Sequence, residues 1–385
     1  MSNAWLKIAR APGLNGRRLL ELLPAVGGAD ALCATPAGQL TAMGLEPEQV
    51  RALREPDPAL LASDQAWLAG DGHHLIGISE PDYPALLQQI AGPPAVLWVW
   101  GDPAALWQPQ IAMVGSRNPT PGGREHAREF AETLVREGWA ITSGLAAGID
   151  VTAHVGALDA GGQTVAVLGT GPDQVYPARN ATVAEAIAGQ GAVVTELPPG
   201  SPPRKQHFPS RNRIIAGLSL GVLVVEAALN SGSLITARLA ADQGREVFAL
   251  PGSLHNPMVK GCHRLIKQGA RLAESTADIT GALAPMAGEL ARALKRRLAV
   301  EEAPEKQAAV RAPEDEELLR DNDYAQLWSA LGHDPITQEQ LLSRLNIDAR
   351  SLSSMLLMLE LRGLVQTIDG GRVVRQSGEA ATGRP

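Results

Sequence analysis

Ile111-Ala112-Met113-Val114-Gly115-Ser116-Arg117-Asn118-Pro119-Thr120-Pro121 is followed by Ala127, Phe130, Ala131, Leu134 and Val135 on one helical face and then by Gly138. An apolar run, a glycine-bearing turn and a helix with Thr120 as N-cap and Pro121 at its first position make one strand–loop–helix unit. The unit recurs outward along the chain. Ala140–Thr142, Thr164–Leu168, Ala192–Thr195, Gly221–Val225 and Glu246–Leu250 are further short β-branched or apolar runs between glycine-containing loops and helical patterns. Six strands alternating with helices predict an α/β fold built on a parallel sheet.

The flanks read differently. Residues 1–70 are short helical pieces punctuated by Pro12-Gly13, Gly27-Gly28, Thr35-Pro36 and Glu55-Pro56-Asp57-Pro58, which predicts a small helical domain of SAM or helix-hairpin-helix type. Pro12–Arg18 offers backbone amides that phosphates accept, although a plain interhelical loop explains it better. Residues 71–285 hold the sheet. Over 286–322 the charges crowd, with Glu301-Glu302, Glu305 and Glu314–Glu317 near Pro304 and Pro313, which is linker composition. Residues 323–377 carry two helices, one with Leu341, Leu342 and Leu345 and one with Leu352, Leu356, Leu359 and Leu361. A hairpin follows, Leu364–Thr367 and Val373-Val374 around Asp369-Gly370-Gly371, and the set resembles a winged helix. Residues 378–385 are a tail.

The chain has 385 residues, a net charge of −7 and two cysteines, Cys33 and Cys262, in no metal or redox spacing. That length implies two or three domains, and the cysteine usage implies a reducing compartment. No signal-peptide core and no membrane-length apolar run stands in the sequence, so a cytoplasmic protein without a membrane partner is expected.

Against this acidic background Arg204-Lys205-Gln206-His207-Phe208-Pro209-Ser210-Arg211-Asn212-Arg213 gathers four cations around one ring, and no Asp or Glu lies between Glu196 and Glu226. Cations that neutralise phosphates, with a ring on which a base stacks, are the chemistry of single-strand binding. A solvated loop with Phe208 tucked into the core is the plainer alternative.

Ligands of parallel sheets bind beyond the carboxyl ends of the strands. Here those ends run into Gly115-Ser116-Arg117-Asn118, Ser143-Gly144, Gly169-Thr170-Gly171, Glu196, Glu226 with Asn230-Ser231-Gly232-Ser233, and Pro251-Gly252. Several such loops feed helix N-termini, so an anion site including Arg117 is expected on this edge. The P-loop and the dinucleotide fingerprint are both absent, which argues against a nucleotide-driven motor and against a cofactor. His255, Cys262 and His263 read as structural rather than as a metal site. Asp150 and His154, one helical turn apart, read as capping chemistry rather than as an acid–base pair.

Four strings occur in order: Gly115-Ser116-Arg117; Ser143-Gly144-Leu145-Ala146-Ala147-Gly148-Ile149-Asp150 with Ala153-His154; Phe208 to Ser219; and Gly232-Ser233-Leu234-Ile235-Thr236-Ala237. Together they resemble the DNA-processing DprA family, also called Smf, over roughly residues 70–285. The resemblance implies an extended Rossmann-like domain that binds single-stranded DNA, forms a homodimer and helps load the RecA recombinase during natural transformation. It implies DNA-binding roles for Gly115, Ser116, Arg117, Lys205, Phe208, Arg211, Asn212, Arg213, Ser231, Gly232 and Ser233. No catalytic residue, cofactor or metal is implied. His263 departs from the family, which often has Asn there.

The same sheet resembles the phosphoribohydrolases that cleave nucleoside monophosphates. Those enzymes carry a catalytic Glu after a phosphate loop, and Asn230 to Thr236 lacks it, while Glu196 and Glu226 remain at strand ends. A third reading makes the C-terminal domain a duplex reader through Ser351–Arg362. That helix offers Ser, Leu and Met with only Arg350 and Arg362 at its ends, so a protein contact fits it better.

Overall fold

The computed structural model describes residues 3–301, 322–331, 336–345, 347, 349–361, 364–368 and 372–375. The chain divides into two compact units, Met1–Lys295 and Arg296–Pro385.

The first unit opens with six helices, α1 (Ala4–Ala9), α2 (Gly16–Val26), α3 (Ala29–Ala34), α4 (Ala37–Ala42), α5 (Pro47–Arg54) and α6 (Pro58–Leu68). Their ends are set locally. Asn15 accepts the Arg18 N–H at 3.0 Å to cap α2, and Asp57 accepts the Ala59 N–H at 2.8 Å to cap α6. The loop before α2 packs inward, where the Gly16 N–H donates to the Pro93 carbonyl at 3.0 Å. Pro12–Asn15 is therefore a loop between helices, and Gly16–Arg18 open α2.

Next come β1 (His73–Gly77), α7 (Ala85–Gln88) and β2 (Val96–Gly101), then the alternating core: β3 (Gln110–Val114), α8 (Pro121–Arg136), β4 (Ala140–Ser143), α9 (Ile149–Asp159), β5 (Thr164–Val167), α10 (Ala181–Gln190) and β6 (Ala192–Thr195). After it stand α11 (His207–Leu218), β7 (Gly221–Val224), α12 (Ser233–Asp242), β8 (Glu246–Ala249), α13 (Lys260–Lys267), β9 (Arg271–Leu272) and α14 (Thr276–Glu301). All six predicted strands form, as β3 to β8. The sheet is larger and mixed, with nine strands in the order β1-β2-β6-β5-β4-β3-β7-β8-β9. β1 with β2 and β2 with β6 pair antiparallel, and the remaining pairs are parallel.

Period-two alternation sorts β3 between two cores. Ile111 and Met113 join Phe130 and Leu134 of α8, Ala153 of α9 and Leu283 of α14. Ala112 and Val114 face the other way, with Ile214 and Ile215 of α11 and Ala237 of α12. A parallel sheet covered on both faces has strands that are apolar throughout, and β3 is buried along its whole length.

The helices of residues 1–70 share this second core. Trp5, Ile8 and Leu19 cluster with Leu75, Ile78 and Trp98, all buried. Helix α1 approaches β1 so closely that a Cβ on Gly77 would lie 2.1 Å from the Trp5 ring. Asp64, fully buried, takes the Arg10 guanidinium at 2.5 and 2.9 Å, and Arg10 also donates to the Pro199 carbonyl at 3.1 Å. The helices and the sheet are thus one packed body. Helix α14 runs on to Glu301, into the stretch read as linker, because Leu283 and Leu290 still bury against the sheet.

In the second unit α15 (Asn322–Leu331), β10 (Ile336–Thr337), α16 (Gln338–Arg344), α17 (Ala349–Leu361), β11 (Val365–Ile368) and β12 (Arg372–Arg375) make a winged-helix arrangement, its sheet ordered β10-β12-β11 and antiparallel. Thr337 and Gln340 form a capping box on α16. Leu341, Leu352, Leu356 and Leu359 bury together with Val365 and Val373. The charged stretch around Glu302, Glu305 and Glu314–Glu317, the turn Asp369-Gly370-Gly371, Arg362 and the tail 378–385 lie outside the described residues. Among the described residues no helix is long and apolar enough to cross a membrane.

Candidate nucleic-acid interface

β3 is flanked by β4 on one side and β7 on the other, so the chain reverses its winding between β3 and β7. Crevices open at such switch points beyond the carboxyl ends of the strands. A cavity of about 580 Å³ lies there, lined from the loop after β3, the first turn of α9, α11, and the segment leading into α12. That volume falls within the usual range of small-molecule sites, about 300–1,000 Å³.

The loop after β3 is held at both ends by one residue. The Ser116 N–H donates to the Glu226 carbonyl at 2.7 Å, while the Glu226 carboxylate accepts the Thr120 N–H at 2.9 Å and its hydroxyl at 2.6 Å. Thr120 in turn caps α8 by accepting the Gly123 N–H at 3.0 Å. Between these anchors Arg117 and Asn118 stand exposed. The Ser116 carbonyl accepts the Ile149 N–H at 3.1 Å, which ties this loop to the one before α9. Gly148 there has φ of +87°, and a Cβ on it would lie 2.3 Å from that same carbonyl, so only glycine fits.

Phe208, Arg211 and Asn212 fall one turn apart on α11 and reach the same cavity. The run 204–213 is therefore no continuous loop, since its second half is helix. Pro209 sits in the first turn, where its missing N–H breaks no intrahelical bond. Arg211 is buried and donates to the carbonyls of Gly144 and Val167 and, at 3.1 Å, to Asn212 Oδ1. Burial lowers its pKa to about 10, opposed by Asp150. Asp150, also buried, has its pKa raised by desolvation, against which Arg211, the Ala146 and Gly144 amides and Arg117 act. Arg211 thus braces the ends of β4 and β5 to α11 and floors the cavity. Arg213 points elsewhere. It pairs with Glu196 at 2.5 Å beside a separate cavity near Pro93 and Pro94.

Phe208 is half-buried, with the Arg117 guanidinium 5.9 Å from its ring centre and the Tyr176 ring centre 5.4 Å away. On the opposite wall Ser231 and Ser233 hydroxyls meet at 2.7 Å, and Gly232 at the N-cap of α12 offers no side chain. The first turn of α12 is therefore presented to the cavity with its dipole's positive end. Arg117, Arg211 and Asp150 are the only ionisable side chains among the lining residues.

Family models cover both units. The model described as DNA recombination-mediator protein A matches residues 74–284, and that of the DprA winged helix domain matches 305–371. The chain belongs to the DNA recombination-mediator protein A family. Protein Smf of Escherichia coli K12 is 43% identical over 276 residues, covering 71% of this chain and 73% of that one. DNA processing protein DprA of Bacillus subtilis is 46% identical over 209 residues, 54% of this chain and 70% of that one. The X-ray structure of DNA processing protein A from Streptococcus pneumoniae superposes with a TM-score of 0.65 at 35% identity, covering 74% of this chain and 98% of that one.

Of the residues that family resemblance singles out, Gly115, Ser116, Arg117, Phe208, Arg211, Asn212, Ser231, Gly232 and Ser233 line the one cavity. Lys205 is exposed in the turn before α11 and is not among the lining residues, and Arg213 is turned away. Asn118 and Asn230, read from the sequence as part of this edge, and Thr236 of the last family string also line the walls without having been assigned to DNA, and sequence reasoning missed Tyr176 beside Phe208. An aromatic and a cation in Tyr176-Pro177-Ala178-Arg179, after β5, were the available signal. Cys262 is buried behind β7, its thiol donating to the Val224 and Val225 carbonyls, and burial pushes its pKa up to about 11. His263 is half-buried, with Nε2 3.1 Å from the Gly252 carbonyl oxygen.

Proposed function

We propose that the β3/β7 cavity binds single-stranded DNA without sequence preference, taking phosphate on Arg117 and the α12 N-terminus and a base on Phe208. The observation that carries the reading is the convergence of α11 and the β3 loop, which sets a half-exposed ring 5.9 Å from an exposed guanidinium over a cavity with a single carboxylate. Stacking needs an unpaired base, so duplex is the poorer ligand.

Family membership and the relatives named as DNA processing proteins extend this to a role in DNA processing during natural transformation, in the cytoplasm, with a homodimer and the RecA recombinase as partners. The reading assigns no catalysis. Of the two strand-end carboxylates available to a phosphoribohydrolase, Glu196 is paired with Arg213 and Glu226 is engaged by Thr120.

Fluorescence anisotropy with single-stranded DNA, duplex and a nucleoside monophosphate tests the proposal. Tight single-strand binding that falls steeply with salt and persists in chelator is expected. Equal affinity for duplex, or release of free base from the monophosphate, sinks it.

A further inference from the structure

Phe208 lines two cavities. The second, of about 280 Å³, shares Arg117, Phe208 and Arg211 with the first and adds Tyr176 and Arg179 from the segment between β5 and α10. Three arginines and two rings border it, and no carboxylate does.

An exposed tyrosine by itself needs no explanation. Tyr176 is different in its setting: 49% exposed, it leans on Phe208 with ring centres 5.4 Å apart and planes at 48°. Its backbone is fixed, since the buried Asn180 side chain donates to the Leu145 carbonyl at 2.9 Å and the Asn180 N–H donates to the Pro177 carbonyl at 2.9 Å. Arg179, exposed on that anchored segment, forms none of the salt bridges found among the described residues. A held ring with an open face, next to cations and away from acids, has the chemistry of a base platform with a phosphate contact.

We infer that this second cavity is a further nucleotide subsite, taking the residue next to the one in the first cavity on the same DNA strand, its base on Tyr176 and its phosphate on Arg179. Phe208 then stands between successive bases, and the strand crosses it from one cavity to the other. The inference rests on the single-strand reading of the first cavity.

The test uses the full chain and a labelled oligothymidylate, titrated across a salt series, with Tyr176→Ala, Tyr176→Phe, Arg179→Ala and, for the first cavity, Arg117→Ala. Tyr176→Ala is expected to weaken binding by about 5- to 150-fold with its salt slope kept, and Tyr176→Phe to bind almost as the parent does, because the ring and not the hydroxyl stacks. Arg179→Ala should lower the salt slope by about 0.7, the value for one phosphate of a single strand. Melting should be unchanged in all three, their side chains being exposed. If Tyr176→Ala and Arg179→Ala bind as the parent does while Arg117→Ala is weakened, the subsite is wrong and the first cavity stands. If Arg117→Ala also binds normally, or the parent does not bind, both readings fall.

Discussion

Phe208 and Arg211 lie one turn apart on the same helix and do different work. Phe208 is half-exposed, so Phe208→Ala should weaken single-strand binding by about 1–3 kcal/mol with an unchanged salt slope, and its melting loss should stay well below the about 3–5 kcal/mol of a core phenylalanine. Arg211→Ala strips partners from the Gly144 and Val167 carbonyls and leaves Asp150 buried beside one cation fewer. Its expected result is a stability loss of about 3–5 kcal/mol by denaturant titration, which comes before any binding effect can be read. Glu226 acts through Arg117. Glu226→Ala removes both Thr120 bonds, so Arg117 loses its placement: the salt slope should fall as it does in Arg117→Ala, with faster amide exchange over 115–120. Glu226→Gln, which keeps one acceptor, should restore part of the slope. Unchanged binding and exchange in Glu226→Ala would refute the positioning role.

At the scale of elements, α9 and β5 meet through a histidine that no sequence pattern could assign. Thr164 spends its hydroxyl proton on the Ile141 carbonyl at 2.7 Å, so at 2.7 Å from His154 Nδ1 its oxygen can only accept. The ring is therefore the Nδ1–H tautomer, and Nε2 is buried without a partner. Protonating Nε2 would bury an unpaired charge, which is why desolvation, with help from Arg211, lowers its pKa from 6.5 to about 3. Between those values the unfolded chain holds a proton that the folded one refuses, so stability is complete above about pH 6.5 and declines as pH falls toward 3. Urea titrations of the parent and His154→Leu over that window should differ in slope by up to about 1.4 kcal/mol per pH unit, the variant being flatter. Identical slopes would contradict the assignment. The spacing of Asp150 and His154 suggested capping chemistry, whereas Asp150 accepts from the Gly144 and Ala146 amides ahead of α9 and His154 bonds Thr164, a partner and a tautomer that needed β5 in place. Helix α11 was hidden in the same way: cations and Pro209 read as a loop, whereas tertiary packing of Ile214 and Ile215 makes the helix.

Over the whole molecule, the alternating strands and their glycine-rich ends were readable because each is a local pattern. The β1–β2 pair and the shared core were not, since both depend on contacts between residues distant in sequence. Trp98, fully buried in β2, reads locally as one apolar residue in a short run, and only the fold sets it in one cluster with Trp5 and Ile8 from the N-terminal helices. This bears on any minimal DNA-binding fragment. A piece beginning at residue 71 would bare the faces of β1 and β2 that Trp5, Ile8 and Leu19 cover, and would cut the Arg10 bond to the Pro199 carbonyl in the segment that leads into α11. Removing three side chains of that size from a core costs about 2–5 kcal/mol each, together as much as the whole of the about 5–15 kcal/mol by which such proteins are stable. Residues 71–301 should therefore fail to melt cooperatively and should bind no single strand. Residues 1–301 keep the whole of that core, α14 to its end and every lining residue of both cavities, and should melt as one transition and bind oligothymidylate with the parent's affinity. Circular dichroism melts and anisotropy on the two fragments decide it, and a stable, binding-competent 71–301 fragment would show that the N-terminal helices are dispensable to the sheet.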